Sequence, residues 1–322
     1  MSSDNSDMKS VLEGFARQCK DSMQLPKGMF VSGEISDIVI LGMGGSAITG
    51  DIIKSLMGDS KTPVHVVRDY CIPSFVNEET LVFAISYSGN TEETLEATKA
   101  AMKRNAKVIG ISSGGAMQGL VKKHIRVAEG FQPRCALGMM LFAVLGVLSN
   151  SKLIEIKTGD VNEALSLLEN SAEFQERAKT IVKLMKGRTP TIYASENLRA
   201  VAMRWKTQYN ENAKAPASFN TFSEMTHNEI CQFGSLKRNE DVAILLKDTQ
   251  DHARIQKRME ISKALMKENV DVIEVGVRGT SLLSRMLCTI HLGDWVAYYA
   301  ALDRRVDPTP VEIIERLKKQ ME

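Results

Sequence analysis

The chain has 322 residues, roughly two domains' worth, and its 43% hydrophobic and 25% charged residues are the balance of an ordinary folded protein. With 41 basic residues against 39 acidic ones the net charge is +2, which argues against a nucleic-acid surface or a polybasic membrane patch. The polar start MSSDNSDMKS, the lack of any apolar run near the roughly 20 residues of a membrane helix, and five scattered cysteines without a CxxC pair argue against a signal peptide, a span, a disulfide framework and a zinc site. A reduced, cytoplasmic protein is the expectation.

From about Met8 to Leu25, apolar positions at helical spacing (Val11, Leu12, Phe15, Ala16, Cys19, Met23) predict one amphipathic helix packed on the first domain. Asp37 to Leu41 (DIVIL) reads as a buried strand, followed at once by GMGGSAITGD, in which Gly42, Gly44, Gly45 and Ser46 form a strand-to-helix turn. Such a turn is similar to a dinucleotide fingerprint. Its spacing, however, is G-x-G-G-S rather than G-x-G-x-x-G, and no acid closes a second strand to hold a ribose, so a dinucleotide site is not expected.

After a strand at Val64 to Val67 comes the stretch richest in chemistry, LVFAISYSGNTEET from Leu81 to Thr94. Strand formers Leu81 to Ile85 lead into Ser86, Ser88, Gly89, Asn90 and Thr91, and then into a helical pattern reaching about Arg104. The turn offers three hydroxyls, a glycine that admits close approach, and the N–H groups of a helix start, which together can hold a phosphate. The same residues are also ordinary caps and turn formers. Lys107 to Ile111 then runs into a third small-residue turn, Ser112 to Gly115, before a helix near Met117 to Lys122. Strand-helix units with nearly continuous apolar strands imply a parallel sheet covered on both faces. Its ligand crevice lies beyond the carboxyl ends of the strands, where all three turns fall.

Residues 134–150 read as a buried helix with Arg134 at its start, where a cation gains nothing from the helix dipole. A solvated arginine beside Pro133 is the plain alternative. A polar helical segment from about Asp160 to Lys186 leads to strands at Thr189 to Ala194, Ala217 to Phe222, Val242 to Leu246 and Val270 to Val275, with helices near Leu198 to Glu211, His252 to Lys267 and Thr280 to Leu302. The second half repeats the first in pattern but lacks the serine-rich turns. The expected class is therefore α/β, with two similar domains, residues 1–152 and 153–322, each a mainly parallel sheet flanked by helices, and one ligand site rather than two equal ones.

The clusters NENAKAP (Asn210 to Pro216) and SEMTHNE (Ser223 to Glu229) present a carboxylate and an imidazole, the groups needed for proton transfer near neutral pH. Taken singly, Glu211 also reads as a solvated helix end and His227 as a cap or surface residue. Glu224 and Glu229 either orient His227 or face water, and His65, His124, His252 and His291 read as isolated surface or core residues.

The set GMGGSAITGD, SYSGNTEET, PRCALG, NENAKAP, EMTHNEI and DPTPVEIIERLK, in this order, resembles the bifunctional phosphoglucose/phosphomannose isomerases of archaeal type, in the sugar isomerase superfamily. The resemblance implies tandem sugar-isomerase-type domains. It also implies reversible conversion of glucose 6-phosphate or mannose 6-phosphate to fructose 6-phosphate through a cis-enediol(ate), without metal or organic cofactor. On the same ground Gly45, Ser46, Ser86, Ser88 and Thr91 are expected to hold the phosphate, Arg134 to face the enediolate oxygens, and Glu211 to act as base. His227 is expected to open the sugar ring, reaching the site from the neighbouring subunit of a homodimer. Lys318 is expected to assist binding and ring opening, with Lys319 the adjacent alternative. Thr309, in DPTP, matches the small hydroxyl side chain associated with acceptance of mannose 6-phosphate. The implied partner is a small phosphosugar, with neither nucleic acid nor membrane. Two competing readings are a non-catalytic phosphosugar sensor and a different phosphosugar isomerase of the superfamily.

Overall fold

The computed structural model describes residues 4–321, which divide into two compact units. The first holds residues 14–166 with 281–283; the second holds the residues up to Glu13, then 167–280 and those from Ser284 onward. The helix predicted from Met8 to Leu25 is two, α1 (Met8–Glu13) and α2 (Phe15–Ser22), parted at Gly14. Glycine is the poorest helix former after proline, and the break lets α1 belong to the second unit while α2 stays in the first.

In the first unit, β1 (Asp37–Leu41), β2 (Val64–Val67), β3 (Thr80–Ile85), β4 (Lys107–Ser112) and β5 (Lys123–Arg126) form a wholly parallel sheet in the order β2-β1-β3-β4-β5. The helices α3 (Gly44–Leu56), α4 (Glu92–Lys103) and α5 (Gly115–Leu120) alternate with the strands. All six residues of β3 are buried, as an unalternating apolar run in a doubly covered sheet requires. β5 gave no sequence signal because its KHIR is a charged edge strand with one buried residue.

The run at 134–150 is a single 3-10 turn, Pro133–Cys135, followed by α6 (Leu137–Asn150), in which eleven of 14 residues are buried. α2 lies directly on this helix. The Gln18 amide donates to the Cys135 carbonyl at 2.9 Å, and its oxygen accepts from Gly138 N at 2.9 Å. One side chain of α2 thus fixes the short segment that carries Arg134.

In place of one polar helical segment there are two helices, α7 (Thr158–Leu168) and α8 (Ser171–Met185). They precede β6 (Thr189–Ala194), α9 (Arg199–Ala213), β7 (Ser218–Thr221), α10 (Phe222–Met225), β8 (Asp241–Lys247), α11 (Ala253–Met266), β9 (Asp271–Gly276), α12 (Leu282–Asp303) and α13 (Glu312–Met321). The second sheet is also wholly parallel, in the order β7-β6-β8-β9, the order of the first sheet without its fifth strand. Two parallel sheets flanked by helices are the predicted class.

α9 and α12 are joined through a buried ion pair. Arg204 Nη2 and Nε donate to the two carboxylate oxygens of Asp294 at 2.8 and 3.1 Å, with both residues about as buried as core leucines. Beside it His291 accepts from Trp295 Nε1 at 3.0 Å, and burial pushes the imidazole down to about 3, so it is neutral. α13 differs in burying none of its residues. No helix among the described residues is long and apolar enough to cross a membrane.

Candidate active site

In a parallel sheet ordered 2-1-3, the chain leaves the first and third strands in opposite directions, and a crevice opens at their carboxyl ends. In the first unit this switch point lies between β1 and β3, flanked by the turns GMGGS and SYSGNT. Gly45, at the start of α3, lies against the backbone of Arg134. A methyl group added there would stand 2.8 Å from Arg134 Cα and 3.0 Å from its nitrogen. This contact joins two motifs far apart in the sequence, GMGGS and PRCALG. The Arg134 side chain is 3% exposed, and its Nη1 donates to Gln132 Oε1 at 3.3 Å.

The hydroxyls of the turns divide by role. Ser46 is buried and its Oγ accepts from Tyr87 N at 3.3 Å, tying the first turn to the second. Ser86 is buried too; its Oγ accepts from Thr91 N at 3.3 Å and shares a hydrogen bond with Thr91 Oγ1 at 2.8 Å, which closes the turn ahead of α4. Ser88 is exposed, with Oγ accepting from Asn90 N at 3.2 Å. Ser46, Ser86, Ser88 and Thr91 are thus each held by hydrogen bonds within the turns at the strand ends, and Gly45 precedes Ser46 at the start of α3.

The turns after β3 and β4 interlock. Gly89 (φ 72°) and Gly115 (φ 69°) both occupy the left-handed region. A side chain at Gly89 would run into the Gly114 carbonyl, and one at Gly115 into the Ser88 carbonyl. The seam is closed by Met117 N donating to the Gly89 carbonyl (2.9 Å), Ala116 N to Asn90 Oδ1 (2.9 Å), and Ser113 N and Oγ to the Tyr87 carbonyl (2.8 Å each). The third turn, SSGGAM, buttresses the second.

In the second unit Glu211 sits in the last turn of α9, half-buried. It lines a cavity of about 720 Å³ together with Lys214, Asp307 and the tail residues Pro310 to Ile314. The structure thus brings the NENAKAP cluster against the segment bearing Thr309. His227 lies on the exposed turn after α10, and Lys318 and Lys319 on the exposed α13; none of the three is among the residues lining that cavity. Glu229 does not simply face water: it accepts from Tyr193 Oη (2.6 Å), Gln232 Nε2 (3.1 Å) and Asn220 Nδ2, which pins the segment after His227 to β6 and β7. Glu224 Oε1 accepts from Asn228 Nδ2 at 2.5 Å.

The switch point of the second sheet, between β6 and β8, carries different chemistry. Ser195 follows β6, Asp248 and Asp251 follow β8, and all three are buried. Arg285 Nε donates to Asp248 Oδ2 at 2.8 Å. Burial pushes the Asp251 carboxyl up to about 6; Ser195 opposes the rise, Asp248 adds to it and Arg285 opposes it. Two acids and an arginine stand where the first sheet offers hydroxyls and glycines.

Residues 34–130 match the family profile described as SIS domain, and residues 174–321 match the bacterial phospho-glucose isomerase C-terminal SIS domain. A bifunctional phosphoglucose/phosphomannose isomerase of Thermoplasma acidophilum is 41% identical over 297 residues, covering 91% of this chain and 92% of that protein. The protein so named from Thermoplasma volcanium is 39% identical over 304 residues, covering 94% and 96%. Among solved structures, the C-terminal domain of glucosamine-fructose-6-phosphate aminotransferase from Francisella tularensis superposes with a TM-score of 0.77 at 13% identity, covering 94% of this chain and 98% of that one. At that identity the likeness speaks for the fold alone.

Proposed function

We propose, from the premise that this chain belongs to the bifunctional phosphoglucose/phosphomannose isomerase family of aldose-ketose isomerases, that it interconverts glucose 6-phosphate and mannose 6-phosphate with fructose 6-phosphate through a cis-enediol(ate). The observation that carries the assignment of roles is the close approach of Gly45 to the backbone of Arg134, which brings the residue bearing the cation next to the first of the small-residue turns. The phosphate binds at Gly45, Ser46, Ser86, Ser88 and Thr91. Ser46 and Ser86 hold the turn's backbone, and Ser88 presents its hydroxyl at the rim.

A proton next to a carbonyl is a weak acid, so its removal needs a base in reach and a positive group near the oxygen that becomes negative. Glu211 is the base. It takes the proton from C2 of the open-chain aldose and returns it to C1, giving the ketose; in reverse it takes the C1 proton and returns it to C2. Arg134 faces the enediolate oxygens, where a fixed cation favours the transition state over the ground state. His227 opens the ring. It reaches the site from the second subunit of a homodimer, a reading that its place on an exposed turn supports. Lys318 assists binding and ring opening.

The two aldoses differ only in configuration at C2 and share one enediol. A single base serves both if the sugar can turn about its C2–C3 bond, and Thr309, with its small side chain, leaves room for that turn. A coupled assay for fructose 6-phosphate, run with each aldose on wild type and Glu211→Gln, tests the reading. Turnover of both sugars is expected, with a loss of about 10²–10⁴-fold in the variant. Near-wild-type turnover by Glu211→Gln would remove Glu211 from the role of base.

A further inference from the structure

At the end of α9 the Lys214 side chain reaches the C-terminal tail. Lys214 follows the last helical residue, Ala213, in the left-handed conformation, with φ 51°. From there its ammonium donates to the Glu211 carbonyl at 2.5 Å and to the Pro308 carbonyl at 3.3 Å, 94 residues away in the chain. Glycine or asparagine closes a helix in this conformation at lower cost. Neither has the reach to touch Pro308.

Neighbouring bonds reinforce the same junction. Arg304 Nε donates to the Ala213 carbonyl at 3.1 Å, and Asn210 Nδ2 donates to the Ala215 carbonyl at 2.9 Å, so the carbonyls at the end of α9 receive side-chain donors from both sides. Past Pro308, Asp307 Oδ1 accepts from Thr309 N at 2.9 Å. The turn that presents Thr309 is therefore shaped locally by Asp307 and anchored at a distance by Lys214. Glu211, Lys214 and Asp307 all line the same cavity.

We propose that Lys214 is a positioning residue that locks the Pro308–Thr309 turn to the last turn of α9, so that Glu211 and Thr309 are presented to the sugar as one rigid unit. This rests on the roles given above to Glu211 and Thr309. Loss of the lock lets the tail drift, and the two C2-epimeric aldoses feel that drift unequally because Thr309 governs the room at C2.

The test compares Lys214→Asn, which keeps a residue at ease in the left-handed conformation but removes the bridge, with Lys214→Arg, which keeps a long cationic donor. Hydrogen-deuterium exchange on the free enzyme should show amides of residues 306–314 exchanging about tenfold faster in Lys214→Asn, the loss of a charge-assisted bond, with Lys214→Arg close to wild type. The value of kcat/KM should fall about tenfold in Lys214→Asn, by different factors for glucose 6-phosphate and mannose 6-phosphate, and recover in Lys214→Arg. In a double-mutant cycle with Thr309→Ala the two losses should not add. Unchanged exchange in Lys214→Asn, additive losses, or an arginine variant as impaired as the asparagine one would each overturn the proposal. A wild type inactive on both sugars would instead overturn the isomerase roles, and the exchange comparison would still decide the lock.

Discussion

Replacing Asp251 by asparagine should stabilise the second unit at neutral pH and have much less effect in mild acid. The carboxyl is 4% exposed, and burial raises it from 3.8 to about 6. Below 3.8 it is protonated whether the chain is folded or not, and contributes nothing. Between the two values folding takes up a proton, so stability falls as pH rises; above 6 the group is charged in both states and its full cost remains. With a difference of about 2.2 and about 1.36 kcal/mol for each pH step, the ceiling is about 3 kcal/mol at pH 8, shrinking to about 1 kcal/mol at pH 4.5. Asparagine has nearly the same shape and no charge, so it removes that cost. The assay is urea unfolding followed by tryptophan fluorescence at pH 4.5, 6 and 8. Both tryptophans, Trp205 and Trp295, are buried in the second unit and report on it directly. A variant no more stable than wild type at pH 8, or one whose advantage does not grow between pH 4.5 and 8, would refute the reasoning.

Gly45→Ala should lower kcat/KM at least about tenfold, because its methyl meets Arg134 backbone atoms that can yield only by shifting, at a typical overpacking cost of about 1–3 kcal/mol; steady-state kinetics identical to wild type would show that the approach is unimportant. Arg204→Met removes the guanidinium that holds the buried Asp294, and urea titration should record a loss of about 3–5 kcal/mol. A change under about 1 kcal/mol would mean that the pair is not what joins α9 to α12.

The strands legible in the sequence were those with continuous apolar runs, such as DIVIL and LVFAI, since burial on both faces leaves no room for alternation. KHIR escaped because this edge strand is charged and buries one residue, and the break at Gly14 escaped because the apolar spacing continues across it. For the site, sequence reveals which residue types stand at a strand end but not which way a hydroxyl points. Ser46, Ser86 and Ser88 look alike in one letter and each accepts from a backbone amide, whereas two are buried and one is exposed. Lys214 stands in plain view within NENAKAP, yet nothing in the letters announces a left-handed lysine reaching a carbonyl near the C-terminus. A helix end followed by a non-glycine residue in a cluster of polar residues is the nearest available hint.

Neither Gly89 nor Gly115 can be exchanged while the opposite turn stays in place, because a methyl on either breaches the same seam. Once one replacement has forced the turns apart, the second has less left to disturb, so the damage is epistatic and is not the sum of two independent losses. Sequence drift at the seam is thereby blocked in both directions, since every single step passes through the broken state. The exposed Ser88 side chain is under no such bar, since a change there gives up one hydrogen bond, from Asn90 N, and leaves the interlocked backbone of the two turns in place.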